Sequence, residues 1–194
     1  MNDSYRFMPG PTHQLTTIRL KDGRQAESVV PQISLESMLY YAERSPPGAI
    51  VEVGVYRGGS ALMLSTLKRE LYLYDTFEGI PYQSELDHDN PVGKFSDTSA
   101  EMVFALVPDA HVIKGLFPDS LVPMPPISFV HADADQYEST KAILKYLPPL
   151  MVKGGMLLFD DFGHPGTEGC TRAVVESPHR VLMLAESSKA LIIL

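Results

Sequence analysis

Two short runs carry the side chains most able to do chemistry. Asp133, in the stretch HADADQY over residues 131–137, and the adjacent pair Asp160 and Asp161 each follow directly on an apolar segment, residues 127–130 and 156–159. If those segments are neighbouring parallel strands, the acids meet at one sheet edge, where α/β proteins keep their ligands. Carboxylates crowded in this way repel one another unless they are protonated, paired or bound to a cation. A hard divalent ion such as Mg2+, with oxygen ligands from Asp133, Asp160 and Asp161, resolves the crowding. Such an ion could hold two adjacent hydroxyls of a sugar or catechol and acidify the one that reacts. His164, close behind the acidic pair, is the best-placed histidine for acceptor contact or proton transfer. His131 reads as a structural hydrogen-bonding residue and His88 as a solvated loop histidine, while Asp135 is expected to face away from the metal or brace its turn. Acids that merely begin helices are the alternative account.

A second constellation lies earlier. Residues 52–60, EVGVYRGGS, follow an apolar run at 49–53; Gly54 permits a tight turn, and Gly58 or Gly59 permits close backbone approach to a ligand. The spacing is neither the G-x-G-x-x-G dinucleotide fingerprint nor a Walker loop. Glu52 disfavours a pyrophosphate there and suits a cationic or amino-bearing ligand. Asp75 ends the next apolar run at about the distance from Glu52 where an acid reaches ribose hydroxyls. Together these residues favour an adenosine-containing ligand with an amino-acid tail, S-adenosylmethionine; the alternative is that both acids are ordinary strand ends.

The elements that must position these residues are legible as alternating strand and helix. Helical spacing over 35–44, with Ser34 as N-cap, precedes strand 49–53; Ser60 could cap the next helix, followed by strand 71–74. A polar segment from 79 to 98 lacks periodicity and reads as a mobile loop beside the site. Helix 100–106, strand 110–113, strand 127–130, helix 137–147, strand 155–159 and helix 168–176 follow, and runs 180–185 and 189–194 are close enough for an antiparallel hairpin. That order implies one α/β domain over residues 32–194, an open and mostly parallel sheet with helices on both faces, preceded by an N-terminal arm over 1–31 in which only 15–20 reads as a strand. With 194 residues, 44% hydrophobic and 21% charged, the chain has enough apolar sequence for one substantial core. A formal charge of -8 gives no electrostatic reason to expect nucleic acid, and no apolar stretch approaches the ~20 residues that span a bilayer. The polar start lacks a signal-peptide core, which points to the cytoplasm. The lone Cys170 excludes an internal disulfide and reads as a small helix residue.

Taken together, residues 52–60, 74–81 (YDTFEGIP), 114–121 (KGLFPDSL), 133–140 (DADQYEST) and 160–162 (DDF) make the chain resemble the macrocin-type O-methyltransferases. These are class I S-adenosylmethionine-dependent enzymes that methylate sugar hydroxyls of macrolide antibiotics. The resemblance implies a Rossmann-like, mostly parallel seven-stranded sheet with a C-terminal antiparallel hairpin. It implies that the turn from Glu52 through Gly54, Tyr56 and Gly58 to Ser60 holds the methionine part of the cofactor and that Asp75 binds its ribose. Phe77, Gly115 and Phe117 would lie around the nucleoside, and Asp133 beside the cofactor. Asp133, Asp160 and Asp161 would bind magnesium, and Asp133 would also receive the acceptor proton. His131 and the long 79–98 loop depart from the family pattern, and much of the N-terminal lid region has no counterpart.

The function expected from the sequence is a magnesium-dependent O-methyltransferase acting on a small hydroxylated molecule such as a sugar, possible as a homodimer, since dimers are the commonest closed oligomers. A metal-dependent glycosyltransferase or hydrolase, and a non-catalytic protein of methyltransferase fold, are the two alternatives.

Overall fold

A computed structural model describes residues 5–9, for which the backbone alone is considered, together with 16–83, 85–88, 90–184 and 188–194. Its centre is a seven-stranded sheet built from β4 (Ala49–Val53), β5 (Leu71–Asp75), β6 (His111–Lys114), β7 (Ile127–Ala132), β8 (Met151–Phe159), β9 (Val181–Leu184) and β10 (Lys189–Ile193). The order across the sheet is β6-β5-β4-β7-β8-β10-β9, with β10 antiparallel to both its neighbours and the other pairings parallel. The chain therefore starts in the middle of the sheet, winds outward to one edge, returns and winds to the other. That reversal lies between β4 and β7, and such a switch point opens a crevice at the carboxyl ends of the strands.

Alternation along each strand splits the core in two. Ile50, Leu73, Phe129, Leu158 and Leu191 bury one face against Leu35, Met38 and Leu39 of α1 (Gln32–Arg44), Leu62 and Met63 of α2 (Gly59–Leu64) and Val103 of α3 (Ala100–Leu106). Val51, Tyr74, Val130, Leu157 and Ile192 bury the other against Ile143 of α4 (Tyr137–Tyr146) and Val174 of α5 (Glu168–Val175). Each fully buried Leu, Ile or Val contributes ~1.5–3 kcal/mol relative to exposure, so a doubly covered sheet is what these near-continuous apolar strands dictate.

The first 31 residues contribute more structure than the single strand expected there. β1 (Tyr5–Pro9), β2 (Thr16–Leu20) and β3 (Gln25–Ser28) form a separate antiparallel sheet, and Ile18, Leu20 and Ala26 enter the core against α1 and α2. Two helix starts also differ from expectation. Pro31, not Ser34, precedes α1, and Ser34 lies buried in its first turn. Gly58, in a left-handed conformation (φ 81°), precedes α2, and Ser60 is buried inside that helix. Among the described residues no helix is long and apolar enough to cross a membrane.

Candidate functional site

The carboxyl ends of β4, β5, β7 and β8 open into one cavity of about 580 Å3. One end of it is shaped by Asp75. Its Oδ2 accepts hydrogen bonds from the Val55 and Tyr56 amides (2.7 and 2.8 Å) and its Oδ1 from the Phe77 amide (2.7 Å). One carboxylate thus folds the turns after both β4 and β5 while remaining in the cavity wall with Gly54, Tyr56, Gly115 and Phe117. Gly54 is required by a close approach. It has φ +88°, and a Cβ there would stand 1.7 Å from the Asp133 carbonyl oxygen, so the end of β7 can pass β4 only over a glycine.

The other end is acidic. Asp133, Asp135 and Asp161 each place a carboxylate oxygen within 4.8 Å of the others, and so do His131, Asp133 and Asp160 with one potential ligand atom apiece. Asp135 and Asp161 reach this position from left-handed backbone, φ 57° and 58°. Burial pushes the Asp133 carboxyl up to about 6; His131 and Lys189 oppose the rise, and Asp161 and Glu52 add to it. Burial, with the charges of Asp161 and Asp133, raises Asp135 well above the usual carboxylate range. Carboxylates held this close favour either protons or a cation among them, and the three oxygen donors of Asp133, Asp135 and Asp161 fit a hard divalent ion.

Two cross-strand pairs flank these acids beneath the cavity floor. Glu52 and His131 are register partners on β4 and β7, both fully buried, with Glu52 Oε1 and His131 Nδ1 2.8 Å apart. Burial raises Glu52 to about 8, against the opposing influence of Ser60 and Lys189, and lowers His131 to about 4. On the other side Ala190 pairs with Phe159, which sets Lys189 of β10 opposite Asp160, and the two form a buried ion pair. Burial lowers the Lys189 ammonium to about 8.

The segment over residues 79–98 forms a wall through Gly79, Ile80, Pro81, Asn90, Lys94 and Phe95, and its described part is docked. Tyr56 Oη donates to Asp97 Oδ1 (2.8 Å), Arg57 pairs with Asp97, and Tyr56 packs edge-on against Phe95. At its far side Tyr82 Oη and Ser139 Oγ are 3.0 Å apart, and the Tyr137 amide donates to the buried Asp87 (3.2 Å).

Of the residues singled out from sequence, Gly54, Tyr56, Asp75, Gly115, Phe117, Asp133, Asp160, Asp161 and His164 come together around this cavity. Four do not line it. Glu52 is fully buried against His131, so the expectation that it faces a cationic ligand gives way to a role in holding that histidine. Phe77 lies in the core with Leu73, Gly58 starts α2 beside Val103 and Leu106, and Ser60 is inside that helix. Asp135 turns toward Asp133 and Asp161 instead of away. Lys189 was not singled out, although a lysine heading an otherwise apolar strand is a sequence signal for a buried acid partner. Val29, Val30 and Ile33, from the end of the N-terminal segment and the start of α1, supply an apolar wall that no motif marked.

Comparison with known proteins agrees with this geometry. The chain is 28% identical to the 8-demethyl-8-(2,3-dimethoxy-alpha-L-rhamnosyl)-tetracenomycin-C 4'-O-methyltransferase of Streptomyces olivaceus, over 66% of this chain and 57% of that protein. It is 29% identical to the demethyldecarbamoylnovobiocin O-methyltransferase of Streptomyces niveus, over 60% and 53% respectively. The chain thus spans a little over half the length of these relatives. Among solved structures, the calicheamicin methyltransferase CalS11 has a TM-score of 0.71 at 22% identity, covering 85% of this chain and 81% of that one. The O-methyltransferase NovP gives 0.71 at 22%, covering 86% and 81%. Both likenesses show the fold. The sequence pattern of the macrocin O-methyltransferases (TylF) matches residues 34–181, well over half of the chain, and the chain belongs to that family.

Proposed function

We propose that this chain is an S-adenosylmethionine-dependent, Mg2+-dependent O-methyltransferase acting on a hydroxyl of a small molecule, a sugar or another vicinal diol. The observation that carries this reading is the single cavity joining Asp75, Gly115 and Phe117 at one end to Asp133, Asp135 and Asp161 at the other. Its volume suits a nucleoside beside a small acceptor. When bound, S-adenosylmethionine supplies an activated methyl group and the divalent ion lowers the pKa of the hydroxyl to be methylated.

The residues supply alignment and a place for the proton. Asp75 offers ribose hydroxyls the acceptor capacity its three amides leave free, and Phe117 gives the nucleoside an apolar edge. The acids of β7 and β8 hold the ion. Asp133 abuts the cofactor turn in space, its carbonyl packed against Gly54, and receives the hydroxyl proton. His164 lines the same cavity from an exposed turn and contacts the acceptor. Sugar hydroxyls are the favoured acceptor because the Streptomyces olivaceus relative is named for a substrate bearing a dimethoxy-rhamnosyl group. Sugar-nucleotide transfer fits less well, because the wall where a diphosphate needs donors presents the Asp75 carboxylate. The test is mass spectrometry of the purified chain with methyl-labelled S-adenosylmethionine, Mg2+ and a panel of glycosylated compounds and catechols. Label in an acceptor, abolished by exhaustive metal removal, is the expected result; saturable cofactor binding without transfer to any diol would sink the catalytic reading.

A further inference from the structure

A buried donor in the cavity wall is without a partner among the described residues. Asn90, in the segment over residues 79–98, lines the cavity, is 2% exposed, and has no hydrogen-bond partner for its Nδ2. The other end of the amide is taken: Lys94 Nζ donates to Asn90 Oδ1 at 2.7 Å. An ammonium has only donors to offer, so this bond fixes which way round the amide stands, oxygen toward Lys94 and nitrogen away from it. The backbone that carries the pair is held at several points. The Asn90 amide donates to the Asp87 carbonyl (3.1 Å), the Gly93 amide to the Ile80 carbonyl (3.0 Å) and the Ile80 amide to the Lys94 carbonyl (2.9 Å). Asp87, fully buried, accepts from the Tyr137 amide (3.2 Å), which places this wall beside the turn that carries Asp133 and Asp135. Lys94 lines the same cavity, and its charge opposes the rise in the Asp135 carboxyl.

We propose that Asn90 is a specificity-determining residue for the acceptor: its Nδ2 donates to an acceptor oxygen outside the hydroxyl pair that reacts. Lys94 is a positioning residue in this arrangement, because it holds Oδ1 and so keeps the amide nitrogen for the ligand. The inference rests on the proposed function and narrows its substrate class. The acceptor is a vicinal diol that carries a further oxygen, as a sugar triol does and catechol does not. A buried donor left unmade is costly, and an acceptor oxygen that meets it recovers that cost. An analogue without the oxygen leaves the donor unpaired, which is how a polar site rejects a ligand that is merely smaller.

The experiment measures kcat/KM with methyl-labelled S-adenosylmethionine for paired acceptors that differ by one oxygen. The pairs are pyrogallol against catechol, and methyl α-L-rhamnopyranoside against the monodeoxy analogue that keeps the methylated diol. Wild type is expected to favour the member with the extra oxygen by about tenfold or more. In N90A that preference is expected to shrink to within about twofold, with the KM for S-adenosylmethionine within about threefold of wild type. Lys94→Arg, which still donates to Oδ1, is expected to keep the preference, and Lys94→Met to lose most of it. An N90A that discriminates as wild type does overturns the proposal. So does an N90A in which the KM values for cofactor and acceptor rise together, as a merely structural role of the wall would produce. Lys94 is exposed, so its variants decide the matter should N90A fail to fold: a preference that survives Lys94→Met unchanged overturns the proposal. If wild type methylates none of these probes, the vicinal-diol function falls and the inference with it; if it methylates both members of each pair equally well, that function stands and the Asn90 assignment alone falls.

Discussion

The two ends of the cavity are organised by different physics. At the Asp75 end one carboxylate accepts from three backbone amides and so folds its own surroundings. At the Asp133 end several carboxylates face one another, and burial together with the neighbouring groups His131, Lys189, Asp161 and Glu52 sets how readily Asp133 ionises. A site that binds a preformed ligand can be built from backbone. On the proposed function, taking a proton from a hydroxyl needs charges left partly uncompensated, and these cost stability in the folded chain.

The largest effect should come from separating the two ends. Asp133→Asn is expected to lower methyl transfer by about 10²- to 10⁴-fold, with S-adenosylmethionine affinity by calorimetry within about threefold of wild type. Asp75→Ala is expected to do the opposite, weakening the cofactor about 100-fold because three amides lose a charged acceptor. If both variants lose binding and turnover in parallel, the two ends are not distinct and the comparison fails. Gly54→Ala attacks the point where they touch. A Cβ 1.7 Å from the Asp133 carbonyl must push β4 and β7 apart, with about 2–4 kcal/mol lost in chemical denaturation. A variant as stable as wild type would show that the strand ends can move independently.

The amino-acid sequence encodes the two ends unequally. The strands ending at Asp75, Asp133 and Asp160 were legible because each is an apolar run stopped by an acid, a local signal. The β3 strand was not, because its inward residues are Ala26 and Ser28, too small to mark a period. Glu52 is set apart from the ligand side by one step of strand parity: it shares a face with Ile50, and that face points into the core beneath the cavity. Asp135 and Lys189 depend on a turn's backbone conformation and on the register of a strand made more than twenty residues later. Neither is encoded in spacing. The sequence thus marked the backbone-organised end more completely than the end organised by side-chain charge from several elements.

A smaller effect sharpens the role of the buried Glu52–His131 pair. The folded chain holds a proton on Glu52 up to about 8, whereas above about 4.5 the unfolded chain has released it, so this group's stability contribution falls as pH rises through that window. His131 is lowered from 6.5 to about 4, so its contribution falls as pH drops from 6.5 through 4. The two slopes oppose each other between 4.5 and 6.5, and the Glu52 slope acts without the His131 one between 6.5 and 8. Thermal melts of Glu52→Gln should therefore lose part of the decline that wild type shows over pH 6.5–8, at most about 1.4 kcal/mol per pH unit. Parallel melting curves for the two proteins across that range would mean the pair does not titrate as placed here.

The smallest effect concerns the wall segment docked on Tyr56 and Arg57. Asp97 holds it down through Arg57 and Tyr56, yet Asp97 is 60% exposed, and an ion pair in contact with water contributes little to stability. Its consequence should appear in substrate binding. With Asp97→Asn the Tyr56 hydroxyl keeps an acceptor while the charge attraction to Arg57 is lost, so Phe95 and Lys94 line the cavity less firmly. The expected outcome is a rise of about threefold in the KM for S-adenosylmethionine, an unchanged kcat, and a difference from wild type that shrinks as salt is raised. A fall in kcat with KM unchanged would place the segment's influence at the acid end instead, and would mean that the two ends of the cavity are coupled through their shared wall as well as through Gly54.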